Sequence, residues 1–301
     1  MYDVIVIGAG PAGLQAALTL GRMHRSALVL DSGEYRNGPV AHMHNVIAND
    51  GTPPAEFRTT ASGQLAAYSD VETRDATATR IVGAADDFTV EFADGSSESA
   101  RRIVLATGMA DVLPAVPGLD ELWGRGAYTC PFCDGHEFSG ARIGILGAAE
   151  RTSHLIGLLG RIADEIVVFP LDVPADPAAA AQLAQAGAVV HSAPVASVSG
   201  ADAEITVRTA DGDVTVAGLF VAAGSASQRA PFSDQLGLRM LPSGAIEVDD
   251  FGRTSLPGVS AAGDLAHRAA LPGIMASVVA AAAAGQLAAV GVIQELMASP
   301  R

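Results

Sequence analysis

Lysine is absent from this chain of 301 residues. All 18 basic residues are arginine, they face 33 acidic ones, and the formal net charge is −15. A nucleic-acid binder needs a cationic face for phosphates, and a protein held on anionic lipid needs a basic tract. Neither is present, so no nucleic acid and no membrane are expected among the partners. Aromatic residues are scarce at 5%, while Ala, Val and Leu abound, which suits an α/β protein better than a β sandwich. No leader is expected either: the first strand begins by residue 3, which leaves no room for a signal peptide, so the expected location is cytoplasmic. One uncharged run, residues 274–293, is long enough to span a bilayer. It is mostly Ala and Gly with Ser277 and Gln286 inside, and alanine contributes little to insertion, so a buried helix is expected. Cysteine is nearly absent. The two that exist, Cys130 and Cys133, read in a reducing compartment as redox-active or metal-binding rather than as a structural staple.

What is present in quantity is glycine at the ends of apolar strands. The chain opens with strand VIVIG, helix PAGLQAALTLGR and strand ALVLD. A polar segment YRNGPVAHMHN comes next, then helix PAEFRTTASGQLAAY and the β-like runs DFTVEFADG and ARRIVLATG. Residues 111–118, DVLPAVPG, read as a linker. A second β–turn–α–β unit then starts at RIGILG, with a helix to about Arg161 and strand EIVVF. The two turns lie 139 residues apart, a weak internal repeat. The expected architecture is a dinucleotide domain formed by residues 1–112 and 226–301, with a second, similar domain inserted at 113–225.

In GAGPAG, Gly8 allows the tight turn and Gly10 lets backbone approach a pyrophosphate. Gly13 allows close helix–strand packing, and Pro11 and Ala12 open the helix whose N-terminus faces the anion. Asp31, followed by Ser32, ends the next strand, where a carboxylate can accept from an adenosine ribose. These features predict dinucleotide binding without choosing between NAD and FAD. The second chemical signal is TCPFCDGHE, with Cys130, Cys133, Asp134 and His136. A C-x-x-C brings two sulfurs within bridging range and lets one thiol acquire a lowered pKa. Half of a zinc site with His136, or a pair of inert thiols, are the other readings of that spacing. A closed zinc site needs four ligands and no second C-x-x-C exists, so no metal is expected.

GVSAAGDLA (258–266) and ATG (106–108) resemble FAD-contacting segments of the flavoprotein reductases with two dinucleotide folds. That resemblance implies FAD contacts at Ala106, Thr107, Gly108 and Gly263, with Asp264 on the ribityl chain. A C-x-x-C-D-G just before the second unit, with GAGPAG ahead and AAGD behind, is similar to low-molecular-weight thioredoxin reductase over nearly the whole chain. The implied fold is α/β, with parallel sheets, helices and a smaller β layer. The implied protein is a homodimeric FAD flavoprotein with a disulfide–flavin couple. Cys133 would face the flavin, Cys130 would exchange with substrate, and Asp134 would serve as acid/base. His136 lies outside that motif and reads equally as a second proton carrier or a solvated turn residue.

The second turn departs from this pattern. Gly8 corresponds to Gly147, Gly10 to Ala149 and Gly13 to Thr152, and Glu150 adds a negative charge where phosphates would sit. After the next strand, where that family carries a basic cluster for a 2′-phosphate, the chain reads FPLD, and no arginine occurs from 162 to 207. Asp172 stands about two residues beyond the equivalent of Asp31 and leaves NADH use open. A dithiol and FAD without a pyridine nucleotide site resemble the thioredoxin reductase-like dithiol oxidases of the gliotoxin and holomycin kind. Those close the disulfide of a small-molecule dithiol natural product with O2 as acceptor, giving H2O2. Residues 31–45 (DSGEYRN…HMHN) resemble the same branch, which implies Arg36, Asn37 and Asn45 beside the flavin, with His42 and His44 near the dithiol or on the surface. The rival readings are an NAD(P)H-dependent thioredoxin or disulfide reductase, a ferredoxin-linked one, and a flavin-bound redox sensor.

Overall fold

The structure, a computed structural model, describes residues 1–147 and 150–299, the side chain of Glu150 excepted. Ala149 and the Glu150 side chain, both singled out in the second turn, lie outside the described residues. The chain divides into two compact units. One takes in Met1–Arg36, Ala55–Ala110 and the residues from Ala226 on; the other takes in Asn37–Pro54 and Asp111–Ser225. The second thus gathers residues 37–54, which the sequence pattern assigns to the first.

The first unit opens with β1 (Tyr2–Ile7), α1 (Pro11–Arg22) and β2 (Ala27–Asp31), then α2 (Pro54–Leu65) and β3 (Val71–Asp75). A meander comes after these in β4 (Ala78–Ala84), β5 (Asp87–Phe92) and β6 (Ser97–Leu105). These strands make one sheet in the order β3-β2-β1-β6-β5-β4, parallel across β3-β2-β1-β6 and antiparallel in the meander. Val4 to Ile7 are all buried, as expected of a parallel strand covered on both faces, whereas β5 alternates and keeps one wet face. α1 buries Ala12, Gly13, Leu14, Ala16, Ala17 and Leu20, mostly small residues that bring its backbone close to the sheet.

The second unit holds β7 (Ala127–Tyr128), α3 (Pro131–Asp134), β8 (Arg142–Leu146), α4 (Glu150–Leu159) and β9 (Glu165–Phe169). Next come α5 (Pro177–Gln185), β10 (Val189–Val190), β11 (Val195–Ala201), β12 (Glu204–Thr209), β13 (Gly212–Val216) and β14 (Leu219–Val221). Its parallel sheet runs β10-β9-β8-β14-β7, and β11-β12-β13 form a separate antiparallel sheet. The order β10-β9-β8-β14 repeats β3-β2-β1-β6 strand for strand, with α4 in the place of α1.

The register carries that repeat down to single residues. Ile7 stands opposite Leu30 and Leu105, and Leu146 stands opposite Phe169 and Val221. Ala106 therefore corresponds to Ala222, Gly108 to Gly224, and Asp31 to Pro170. The chain returns to the first unit with β15 (Val259–Ala261), parallel to β6, and ends in α6 (Val278–Ala298). α6 is long and apolar enough to cross a membrane, but Ala281, Gly285, Ala288, Ala289, Val292 and Leu296 are buried, and they line the core that also buries α1. A Cβ on Gly285 would strike the Ala12 carbonyl, so the two helices touch through backbone. The run expected to be a buried helix is a core helix of this unit, starting at the Ser277 N-cap.

Candidate active site: a dinucleotide cradle and a dithiol segment

In the first unit the strand ends of β1, β6 and β15 converge on the start of α1. Gly8 takes φ +110, and a Cβ there would strike the Ala106 carbonyl. One on Gly13 would strike the Gly8 carbonyl and come within 3.3 Å of Ala106 Cβ. Gly263, at φ +92, leaves 3.1 Å between its own hypothetical Cβ and that of Ala12. Gly10 differs: nothing lies within 4 Å of where its Cβ would point, and no side chain caps the first turn of α1. Open space therefore faces unsatisfied N–H groups at the positive end of a helix, which fits a pyrophosphate. Thr107 and Gly108 continue from Ala106, and Gly108 (φ +70) likewise has open space before it.

The polar residues of this cradle are partly engaged with each other. Arg36 Nη1 donates to Asp264 Oδ2 at 2.9 Å, joining two cofactor candidates 228 positions apart, both half-buried. Asp31 accepts from the Gly33 amide at 2.9 Å and from the Tyr35 hydroxyl, and Ser32 is exposed beside it. Arg58 stacks over the Tyr35 ring at 3.7 Å, and burial with the Asp31 bond pushes that phenol up to about 12. Sequence reasoning missed Tyr35 and Arg58. Asn37 and Asn45 fall in the second unit; Asn45 sits at φ +59 with its amide on Asp50 Oδ1 at 2.7 Å.

The dithiol belongs to the second unit. Cys130 is the N-cap of α3 and Pro131 its first residue, so the helix starts between the cysteines and brings their Cα atoms to 5.3 Å, joined as a disulfide. Gly135 ends this turn under the Leu159 side chain of α4, and Phe138 anchors the next turn of chain against Tyr128 and Phe220. Asp134 is thereby held half-buried beside Cys133. Burial, then the Glu137 carboxylate, pushes it up to about 7, while His44 pulls the other way. An acid with that property is suited to taking and returning a thiol proton near neutrality. The side chains of His136 and His42 are exposed and make no hydrogen bond or ion pair among the described residues. The histidine at this segment is His44, with Nε2 3.6 Å from Glu137 Oε1 and Nδ1 3.7 Å from Asp50 Oδ1. Tyr128, Glu137 and Arg151 also escaped sequence reasoning. Glu137 was in view within TCPFCDGHE, whereas Arg151 reaches Thr129 Oγ1 (2.7 Å) only through the fold.

The second turn opens as the first does at Gly147 and differs from it at residue 152. Gly147 takes φ +106, and its amide donates to Phe169 O at 2.9 Å, as Gly8 donates to Leu30 O at 2.8 Å. Thr152 stands where Gly13 stood. It is fully buried, and its Oγ1 donates to the Gly147 carbonyl at 2.9 Å. Beyond β9, Pro170 occupies the Asp31 position, and Asp172 is exposed two residues on.

The pyridine nucleotide-disulphide oxidoreductase family matches residues 2–285. "Thioredoxin reductase tcpT" of Claviceps purpurea is 32% identical over 315 residues, covering 98% of this chain and 96% of that one. "Probable thioredoxin reductase" of Arthroderma benhamiae is 40% identical over 174 residues; that match takes in 56% of this chain and 43% of the relative's length. Among solved structures, HlmI superposes with a TM-score of 0.86 at 32% identity, over 98% of this chain and 92% of its own. The low-molecular-weight thioredoxin reductase fold expected from the motifs is the fold observed, and FAD is the cofactor of such proteins. With a disulfide at C-x-x-C and a cradle that fits FAD, this chain is a thioredoxin reductase-like flavoprotein and belongs to the pyridine nucleotide-disulphide oxidoreductase family.

Proposed function

We propose that this disulfide oxidoreductase is an FAD-dependent dithiol oxidase, a cytoplasmic homodimer that closes an intramolecular disulfide in a small-molecule dithiol natural product. The observation that carries the reading is Thr152. Its buried hydroxyl is committed to the Gly147 carbonyl, where a dinucleotide-binding turn needs a bare glycine. The absence of any arginine or lysine from 162 to 207 leaves a 2′-phosphate without a local partner. Electrons then have to enter from the thiol side.

A substrate thiolate attacks Cys130 Sγ, the bond to Cys133 breaks, and a mixed disulfide forms. The second substrate thiolate displaces Cys130, which releases the cyclic disulfide and leaves both cysteines reduced. Each attack frees one thiol proton, and Asp134 accepts it at its carboxylate and returns it to the departing cysteine. Gly8, Gly10, Pro11, Ala12, Gly13 and the 106–108 and 263–264 segments hold the FAD, with Arg36 orienting Asp264. Bound FAD supplies the two-electron acceptor that regenerates the Cys130–Cys133 disulfide and the route onward to O2, with H2O2 as product.

Anaerobic spectroscopy tests this directly. Dithiothreitol should bleach the flavin, and air should restore the colour with one H2O2 per flavin. NADPH and NADH should leave it yellow; rapid bleaching by either would overturn the oxidase.

A further inference from the structure

The dithiol site is bordered by a loop that carries its own charges. Residues 43–52 close on themselves through Met43 N to Thr52 O (3.0 Å) and Gly51 N to Met43 O (2.9 Å), with Met43 and Val46 buried beneath. The loop aims His44 between two carboxylates, Asp50 of its own and Glu137 of the dithiol segment. Separations of 3.6 and 3.7 Å are ion-pair rather than hydrogen-bond distances, so the coupling is electrostatic. Imidazole is the side chain that changes charge within the physiological pH range.

The charged and titratable groups facing Asp134 come from each surrounding element. Glu137 and His44 act on it directly, and Asp50 stands behind His44. Tyr128 of β7 has its phenol pushed up by burial and by Asp134 and Glu137. Arg151 of α4 donates to Thr129, next to Cys130.

We propose that His44 and Glu137 are positioning residues of the dithiol site with opposite electrical effects. Imidazolium at 44 favours a carboxylate at 134 and thiolates at Cys130 and Cys133, and the carboxylate at 137 opposes all three. The proposal rests on the reading of Asp134 as the acid/base of the dithiol. It makes loop 43–52 part of the reaction machinery, and it replaces His136 as the histidine that matters.

The test uses the reduced protein and the rate of iodoacetamide alkylation of its cysteines as a function of pH. No nucleotide, substrate or O2 enters, so a failure of the oxidase reading leaves this outcome untouched. H44Q should move the profile to higher pH and E137Q to lower pH, each by about one unit or less, with both shifts shrinking at high salt. H44R, which keeps a cation at every pH, should leave the profile at or below the pH of the parent's, on the opposite side from H44Q. Shared loss of packing would move both variants the same way, so opposite signs are the diagnostic. Shifts of one sign, or an unmoved profile in either variant, would overturn the proposal.

Discussion

The turns that open at Gly8 and at Gly147 begin alike among the described residues. Both follow the central strand of a parallel sheet, both donate an amide to the neighbouring strand, and both begin with glycine near φ +110. They differ where Gly13 stands in the first and Thr152 in the second. In the first turn the Gly13 site lies so near the Gly8 carbonyl that no side chain fits. In the second, Thr152 puts a hydroxyl on the equivalent carbonyl at 2.9 Å. The first glycine is thus met in both units, while the third is met in the first unit, where tight packing requires it, and replaced by Thr152 in the second.

The largest expected effect comes from breaking the retained turn. Gly13→Ala forces a Cβ against the Gly8 carbonyl and should cost about 3 kcal/mol or more, read as a fall in melting temperature with loss of bound flavin. An unchanged melting temperature with full flavin content would mean that the third glycine is not a packing requirement. Gly10→Ala sharpens the same comparison, because its Cβ meets nothing within 4 Å. The flavin-free protein should melt as before, yet FAD should bind about tenfold more weakly or worse, about 1.4 kcal/mol. Titrating FAD into stripped protein measures it. Equal affinity would show that the open space before Gly10 is not where the pyrophosphate lies.

Much of this was legible because it is local. Strand, glycine and helix succeed one another within fifteen residues at each turn, and the period of the apolar residues gives them away. The disulfide pair sits within a single helical turn. What escaped depends on distance in sequence. Arg36 meets Asp264 across 228 positions, and no pattern announces that pairing. Proximity in the chain suggested His136 beside the dithiol, but a residue two places from Asp134 on a short turn points to solvent. His44, which the resemblance left near the dithiol or on the surface, comes to Glu137 of the dithiol segment from a loop more than eighty residues away. Segment 37–54 joins the second unit for the same reason, since its partners lie beyond residue 110.

The smallest expected effect probes the second turn itself. Thr152→Val keeps the shape of a fully buried side chain and removes only the hydroxyl that serves the Gly147 carbonyl. The net value of one neutral hydrogen bond is about 1 kcal/mol, and a buried carbonyl deprived of its donor sets the upper part of that range. Urea unfolding should therefore show a loss of about 1 kcal/mol with an unchanged slope. Because the added methyl leaves the glycine position as crowded as before, NADPH should still fail to bleach the flavin. The two readouts separate the two uses of a turn. A stability loss without nucleotide use means that the hydroxyl holds the backbone in a turn that no longer serves a ligand. Unchanged stability would mean that the carbonyl has enough support elsewhere, and Thr152 would then be a space filler rather than the replacement for a lost cradle.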